Sequence, residues 1–85
     1  MAKLTAKEKK WVAEVQAVLN RCPSNRIGFA TIGDPNVTLF DVTRYKEICA
    51  ELDKGGRDFI PCSDRVGATF DETLDFPNSV ESTAG

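Results

Sequence analysis

RIGFATIGDPNVTLFD, residues 26–41, decides how this chain is read as a fold. Two runs rich in β-branched and aromatic residues, Arg26 to Ile32 and Val37 to Asp41, flank Gly33-Asp34-Pro35-Asn36. In that tetrad the proline presets φ, and glycine, aspartate and asparagine accept turn geometry, so the spacing predicts a β-hairpin. Period-two alternation sets Ile27, Phe29 and Thr31 on one face of the first strand, and Gly28, Ala30 and Ile32 on the other. On the second strand Val37 and Leu39 oppose Thr38 and Phe40. The Gly28/Ala30 face is nearly flat, so a helix can approach it closely.

Upstream, Thr5-Ala6-Lys7-Glu8 fits a capping box that starts a helix. Trp11, Val12, Val15, Val18, Leu19 and Cys22 then recur at three- and four-residue steps as one apolar stripe, until Pro23 ends the run. Downstream, Asp41 or Thr43 can cap a second helix whose stripe is Tyr45, Ile48, Cys49 and Leu52, closed by Gly55-Gly56. Arg57 to Ile60 is a short strand candidate stopped by Pro61, and Val66, Ala68 and Phe70 alternate as a possible fourth strand. The expected architecture is a small α+β domain of order α-β-β-α-β(β), with two helices packed on one face of a short antiparallel sheet. It spans residues 1–76, has Trp11, Phe29, Leu39, Ile48 and Leu52 as its core, and carries a flexible tail over residues 77–85.

Length and composition narrow the functions open to such a chain. Eighty-five residues make one domain, and a chain of this size removes only roughly 60–65% of its unfolded surface from water, which disfavours a deep interior cleft. No apolar run approaches the ~20 residues of a membrane span. No basic start precedes an apolar run and a small-residue cleavage site, so the expectation is no secretion. Three widely spaced cysteines, Cys22, Cys49 and Cys62, are odd in number and fit thiols in a reducing cytosol.

The candidate chemistries fall away one by one. The sequence has no histidine, hence neither the commonest general base nor the usual nucleophile triads. The three cysteines with Asp64 could supply four zinc ligands, but they lack the close pairs of structural zinc sites. Gly28-Phe-Ala-Thr-Ile-Gly33 matches half of a phosphate-binding loop, yet Asp34 and Pro35 stand where lysine and a hydroxyl residue are needed. The expectation is a protein that is not an enzyme and has no cofactor, metal or catalytic site.

Charge is distributed unevenly. Residues 1–26 carry a net +4, and residues 66–85, with Asp71, Glu72, Asp75 and Glu81 and no basic residue, carry −4. Lys3, Lys7, Lys9, Lys10 and Arg26 are accordingly the candidate contacts for a nucleic acid. At the opposite pole FDETLDF, residues 70–76, interleaves Phe70, Leu74 and Phe76 with Asp71, Glu72 and Asp75. That composition suits docking into a groove with an apolar floor and a basic rim. It is similar to the acidic, aromatic tails of bacterial single-stranded DNA-binding proteins, although those end at their last aromatic residue. The alternative is that the three apolar side chains fold back over the sheet and leave the carboxylates in water.

KLTAKEKKWVAEVQAVLNRCPSNRIGFATIGD, residues 3–34, resembles the opening of small uncharacterised proteins carried by temperate phages and prophages of enteric bacteria. The resemblance implies a small cytoplasmic accessory protein that acts in the bacterial host cell by binding a host protein, and it assigns no functional residue. Two functions are therefore expected from the sequence: a modulator or inhibitor of a bacterial host protein, or a nucleic-acid-associated regulator using the basic first helix. Homodimerisation through the hairpin edge is a further expectation, since an unpaired strand invites a partner.

Overall fold

The hairpin forms in the register its alternation demands. Ile27 faces Asp41, Gly28 faces Phe40, Phe29 faces Leu39 and Ala30 faces Thr38. The computed structural model describes residues 2–56 and 58–81. Their order is α1 (Ala6–Asn20), β1 (Ile27–Ala30), β2 (Asn36–Asp41), a 3₁₀ turn (Val42–Arg44), α2 (Tyr45–Asp53), α3 (Phe59–Arg65) and β3 (Thr69–Asp75). Both pairings are antiparallel and β2 is central, giving a three-stranded α+β domain.

Local chemistry accounts for most element ends. The Thr5 hydroxyl accepts from the Glu8 N–H at 3.1 Å, and the Glu8 carboxylate accepts from the Thr5 N–H at 2.8 Å, completing the capping box of α1. Asp41 caps the 3₁₀ turn that leads into α2, accepting from the Thr43 N–H at 3.0 Å. Helix α2 ends in a Schellman motif: the Gly56 N–H reaches the Glu51 carbonyl and the Gly55 N–H the Leu52 carbonyl, with Gly55 at φ 105°. Helix α3 ends the same way, with Ala68 on Ser63 and Gly67 on Asp64.

Two helices do cover one face of the sheet, and they are α2 and α3. Phe40, Ile48, Cys62 and Ala68 are buried between these layers, with Ala30, Leu52, Phe59 and Val66 packed around them. Phe40 lies over the flat position that Gly28 provides; a Cβ added there would sit 2.5 Å from Phe40 Cζ and 2.8 Å from a Val42 methyl. The Phe40 and Phe59 rings meet edge to face, 4.8 Å between centroids. Ser63, the buried polar side chain, takes a hydrogen bond of 2.8 Å from the Thr69 hydroxyl, which ties α3 to the start of β3. Arg44 donates to the Gly67 carbonyl at 3.2 Å and pairs with Glu47.

Several expectations need correcting. The strand expected at 57–60 is not one: Phe59 and Ile60 open α3, Pro61 occupies its first turn, and Arg57 lies outside the described residues. Proline fits there because a first-turn N–H has no intrahelical acceptor to lose. The last strand exists but runs from Thr69 to Asp75, later than the alternation around Val66 suggested. Of the expected core, Ile48 is fully buried and Leu52 packs against it, but Leu39 is only partly covered, and Trp11 and Phe29 are 58% and 51% exposed. Residues 77–81 follow β3 without helix or strand, and the rest of the expected tail lies outside the described residues.

This packing sets two expected outcomes for urea unfolding followed by circular dichroism. Ile48→Ala should lower stability by about 2–5 kcal/mol, because it opens a cavity in the one closed layer. Gly28→Ala should lower it by about 1–3 kcal/mol, because the added methyl overlaps the Phe40 ring.

Candidate functional site

The strand alternation that sends Gly28, Ala30, Thr38 and Phe40 towards α2 and α3 sends Ile27, Phe29, Val37 and Leu39 to the opposite face. Val37 faces Leu74 across the β2–β3 pairing, so β3 adds Phe70, Glu72 and Leu74 to that same outer face. The register shift between Thr38 and Phe40 leaves this parity intact, because Thr38 faces Thr73 while Phe40 faces Thr69. No helix layer covers the outer face as α2 and α3 cover the inner one. What approaches it is the C-terminal end of α1, where Leu19 and Cys22 border an apolar cleft of about 350 Å³ with Phe29, Val37, Leu74 and Phe76.

Helix α1 itself has no buried residue. Its stripe, which amphipathic spacing assigns to a core, is open to solvent at Trp11, Val12, Val18 and Leu19. At 100° per residue the capping residue Glu8 continues this stripe towards the N-terminus, Lys7 borders it beside Val18 and Trp11, and Lys9 and Lys10 lie away from it. All four lysines expected at a nucleic-acid contact, Lys3, Lys7, Lys9 and Lys10, are exposed. Arg26 is engaged by its own chain. Its Nε lies 3.2 Å from Asp41 Oδ2, and its guanidinium sits 4.9 Å from the centroid of the Phe70 ring.

FDETLDF is divided between the two alternatives that its sequence left open. Phe70 is half-buried beneath Arg26 and is architecture. Asp71, Glu72, Leu74, Asp75 and Phe76 are exposed, Phe76 by 46%. The end of the segment is held by the Phe76 N–H, which donates to the Pro35 carbonyl at 2.7 Å, and by Asp75, which accepts from the Thr73 hydroxyl at 3.0 Å. Among the described residues, the ion pairs are Arg26–Asp41, Arg44–Glu47, Lys54–Glu51 and Arg65–Glu51. Neither the lysines of α1 nor the carboxylates of β3 take part in one.

The cysteines are dispersed rather than clustered: Cys62 is in the core, Cys49 is half-buried on α2, and the exposed Cys22 thiol donates to the Ser24 carbonyl. Among the described residues no three cysteine, aspartate or glutamate side chains gather as metal ligands would. Gly28 and Gly33 lie in β1 and the hairpin turn, with no helix N-terminus following them. Among the described residues no helix is long and apolar enough to cross a membrane.

The outer face and the α1 stripe are the surface that reading the sequence missed. The signal was present: the chain carries an apolar helix stripe and apolar residues on both faces of its hairpin, more apolar surface than one two-layer core can close over. Scans against known families, curated proteins and solved structures returned no match to this chain.

The hinge between the outer face and the α2 layer is electrostatic. Asp41 accepts from the Thr43 hydroxyl at 2.6 Å and from the Thr43 N–H, and it faces Arg26, which together hold its carboxyl below the ordinary 3.8. A carboxyl whose pKa is lowered on folding stabilises the fold above its unfolded value, and that contribution is lost as pH falls through the folded value. Asp41→Asn should therefore unfold at lower temperature than the wild type at neutral pH. The difference should narrow as pH falls below 3.8 in thermal melts.

Proposed function

We propose that this chain is a non-enzymatic accessory protein of the phage and prophage type, which binds a bacterial host protein in the cytoplasm and modulates or inhibits it. The observation that carries this reading is the state of β3. It is an edge strand, it presents exposed carboxylates at Asp71 and Asp75 that have no ion-pair partner among the described residues, and it ends on the exposed Leu74 and Phe76. An unpaired strand edge, apolar anchors and unneutralised acid are the parts from which a basic-rimmed groove on another protein is recognised. Charge would steer the encounter, and the apolar side chains would slow dissociation. The resemblance of residues 3–34 to phage-borne proteins supports a host protein as the partner. The absence of histidine supports a role without catalysis.

A second reading is favoured by one observation, the exposure of Lys7, Lys9 and Lys10 on α1 and of Lys3 just before it, without ion-pair partners among the described residues. Such a row suits a phosphate backbone and makes binding strongly salt-dependent. Arg26 no longer supports it, since its guanidinium is engaged by Asp41 and Phe70.

The test is affinity capture from an enteric bacterial lysate, with and without nuclease, comparing wild type with Asp71→Lys/Asp75→Lys/Phe76→Ala. These three side chains are exposed, so the variant keeps its fold. On the leading reading a protein is retained by wild type after nuclease treatment, and its recovery falls at least about tenfold with the variant, as loss of steering and an apolar anchor requires. Equal recovery by the variant removes β3 as the contact. Recovery that vanishes with nuclease transfers the function to the basic helix.

A further inference from the structure

The surface of this chain is larger than that of a compact monomer of its mass. It exposes 6940 Å², whereas a folded monomer of 9.3 kDa exposes ~5,000 Å². The surplus, roughly 1,900 Å², lies within the ~1,000–2,500 Å² that each partner of an obligate homodimer withdraws from water. The chain is also drawn out, with a radius of gyration of 15.5 Å against ~12 Å for a compact domain of this length. Two large apolar surfaces are open: the α1 stripe at Trp11, Val12, Val18 and Leu19, and the outer sheet face at Phe29 and Leu74.

We propose that these surfaces are covered by a second copy of this chain, α1 of each protomer lying across the outer sheet face of the other around a two-fold axis. One argument is area. The exposed helix and the partly covered sheet face, on which Val37 is buried but Phe29 and Leu74 are open, are the two halves of a layer packing that the inner face already has, and a two-fold exchange supplies both halves at once. The other argument is charge. Lys7 borders the apolar stripe of α1 and has no acidic partner among the described residues of its own chain. Glu72 stands on the outer face between Phe70 and Leu74, is exposed, and likewise lacks a basic partner. Laying α1 on the outer face of another copy brings basic groups to that carboxylate twice, once in each half of the interface. Asp71 and Asp75 alternate to the other side of β3, so its edge stays open. The expected dimer thus moves from the hairpin edge to the sheet face, and it is independent of whether β3 recruits a host protein.

Sedimentation of the full chain tests this. The wild type should sediment at twice the 9.3 kDa chain mass at micromolar concentration, with dissociation favoured by added salt. Trp11→Glu should weaken association at least about a hundredfold, since it places a charge at the centre of the apolar contact. Its closed core should be retained, read as wild-type methyl proton shifts of Ile48 and Ala68, because Trp11 contributes nothing to that core. A charge exchange gives a second, independent reading. Lys7→Glu alone and Glu72→Lys alone should each dimerise about tenfold more weakly through like-charge contacts, and an equimolar mixture of the two should recover wild-type association as a heterodimer. A wild type that is monomeric up to millimolar concentration overturns the proposal. So does a dimer that Trp11→Glu leaves intact, or a mixture of charge variants that fails to re-associate. If the monomeric chain instead captures a host protein and loses it on Phe29→Glu, the face belongs to that host protein and not to a second copy. Host capture that survives Trp11→Glu but is lost with Asp71→Lys/Asp75→Lys/Phe76→Ala separates the two functions.

Discussion

Phe40 crosses the first strand at Gly28 and meets the edge of Phe59, and the organisation of the domain depends on that contact. It needs a residue without Cβ on β1, since any side chain at Gly28 would occupy the space of the Phe40 ring. It needs α3, because Phe59 opens that helix. It also fixes which face of the sheet is the inside: with Phe40 committed to α2 and α3, alternation commits Val37 and Leu39 to the other side. Ile48 and Cys62 then close over Phe40, and Ala68 seals the layer just before β3 begins.

Closing one face in this way leaves the other only partly covered, with Val37 buried and Phe29 and Leu74 open. Helices α2 and α3 are short, and both are used on the inner face. Helix α1 is longer and as apolar along its stripe, but it reaches the outer face only at its C-terminal end. Its stability cannot come from burial in its own chain, because an isolated helix of about 15 residues is marginal in water. Much of the outer face and most of α1 thus stay open to solvent. Charge is separated as well, basic towards the N-terminus and acidic on β3.

The hairpin, the capping box of α1 and the closure of α2 at Gly55-Gly56 were legible from residue types at fixed spacings, because each is a local arrangement of backbone and side chain. Helix α3 was not. Seven residues are two turns, too few for periodicity to distinguish a helix from a strand, and Pro61 was read as a stop although it sits where a helix tolerates it. Gly67, two residues past the last helical residue Arg65 as Gly55 is past Asp53, was the signal that could have corrected this. Trp11 and Phe29 were assigned to the core because their spacing is that of buried residues. Spacing reports that a face is apolar, and it is silent on what covers the face.

By itself the sequence determined the local elements, the alternation of the hairpin, the absence of histidine chemistry and the polarity of charge from one end to the other. Each of these follows from side-chain type and separation along the chain. The tertiary structure alone decided which of two apolar sheet faces was closed, that Phe70 lies under Arg26 while Phe76 remains in solvent, and that α1 stands largely apart. Those outcomes depend on how much helix is available to cover each face and on contacts between residues far apart in sequence. Fifteen residues separate Arg26 from its ion-pair partner Asp41, and no local pattern carries such a pairing.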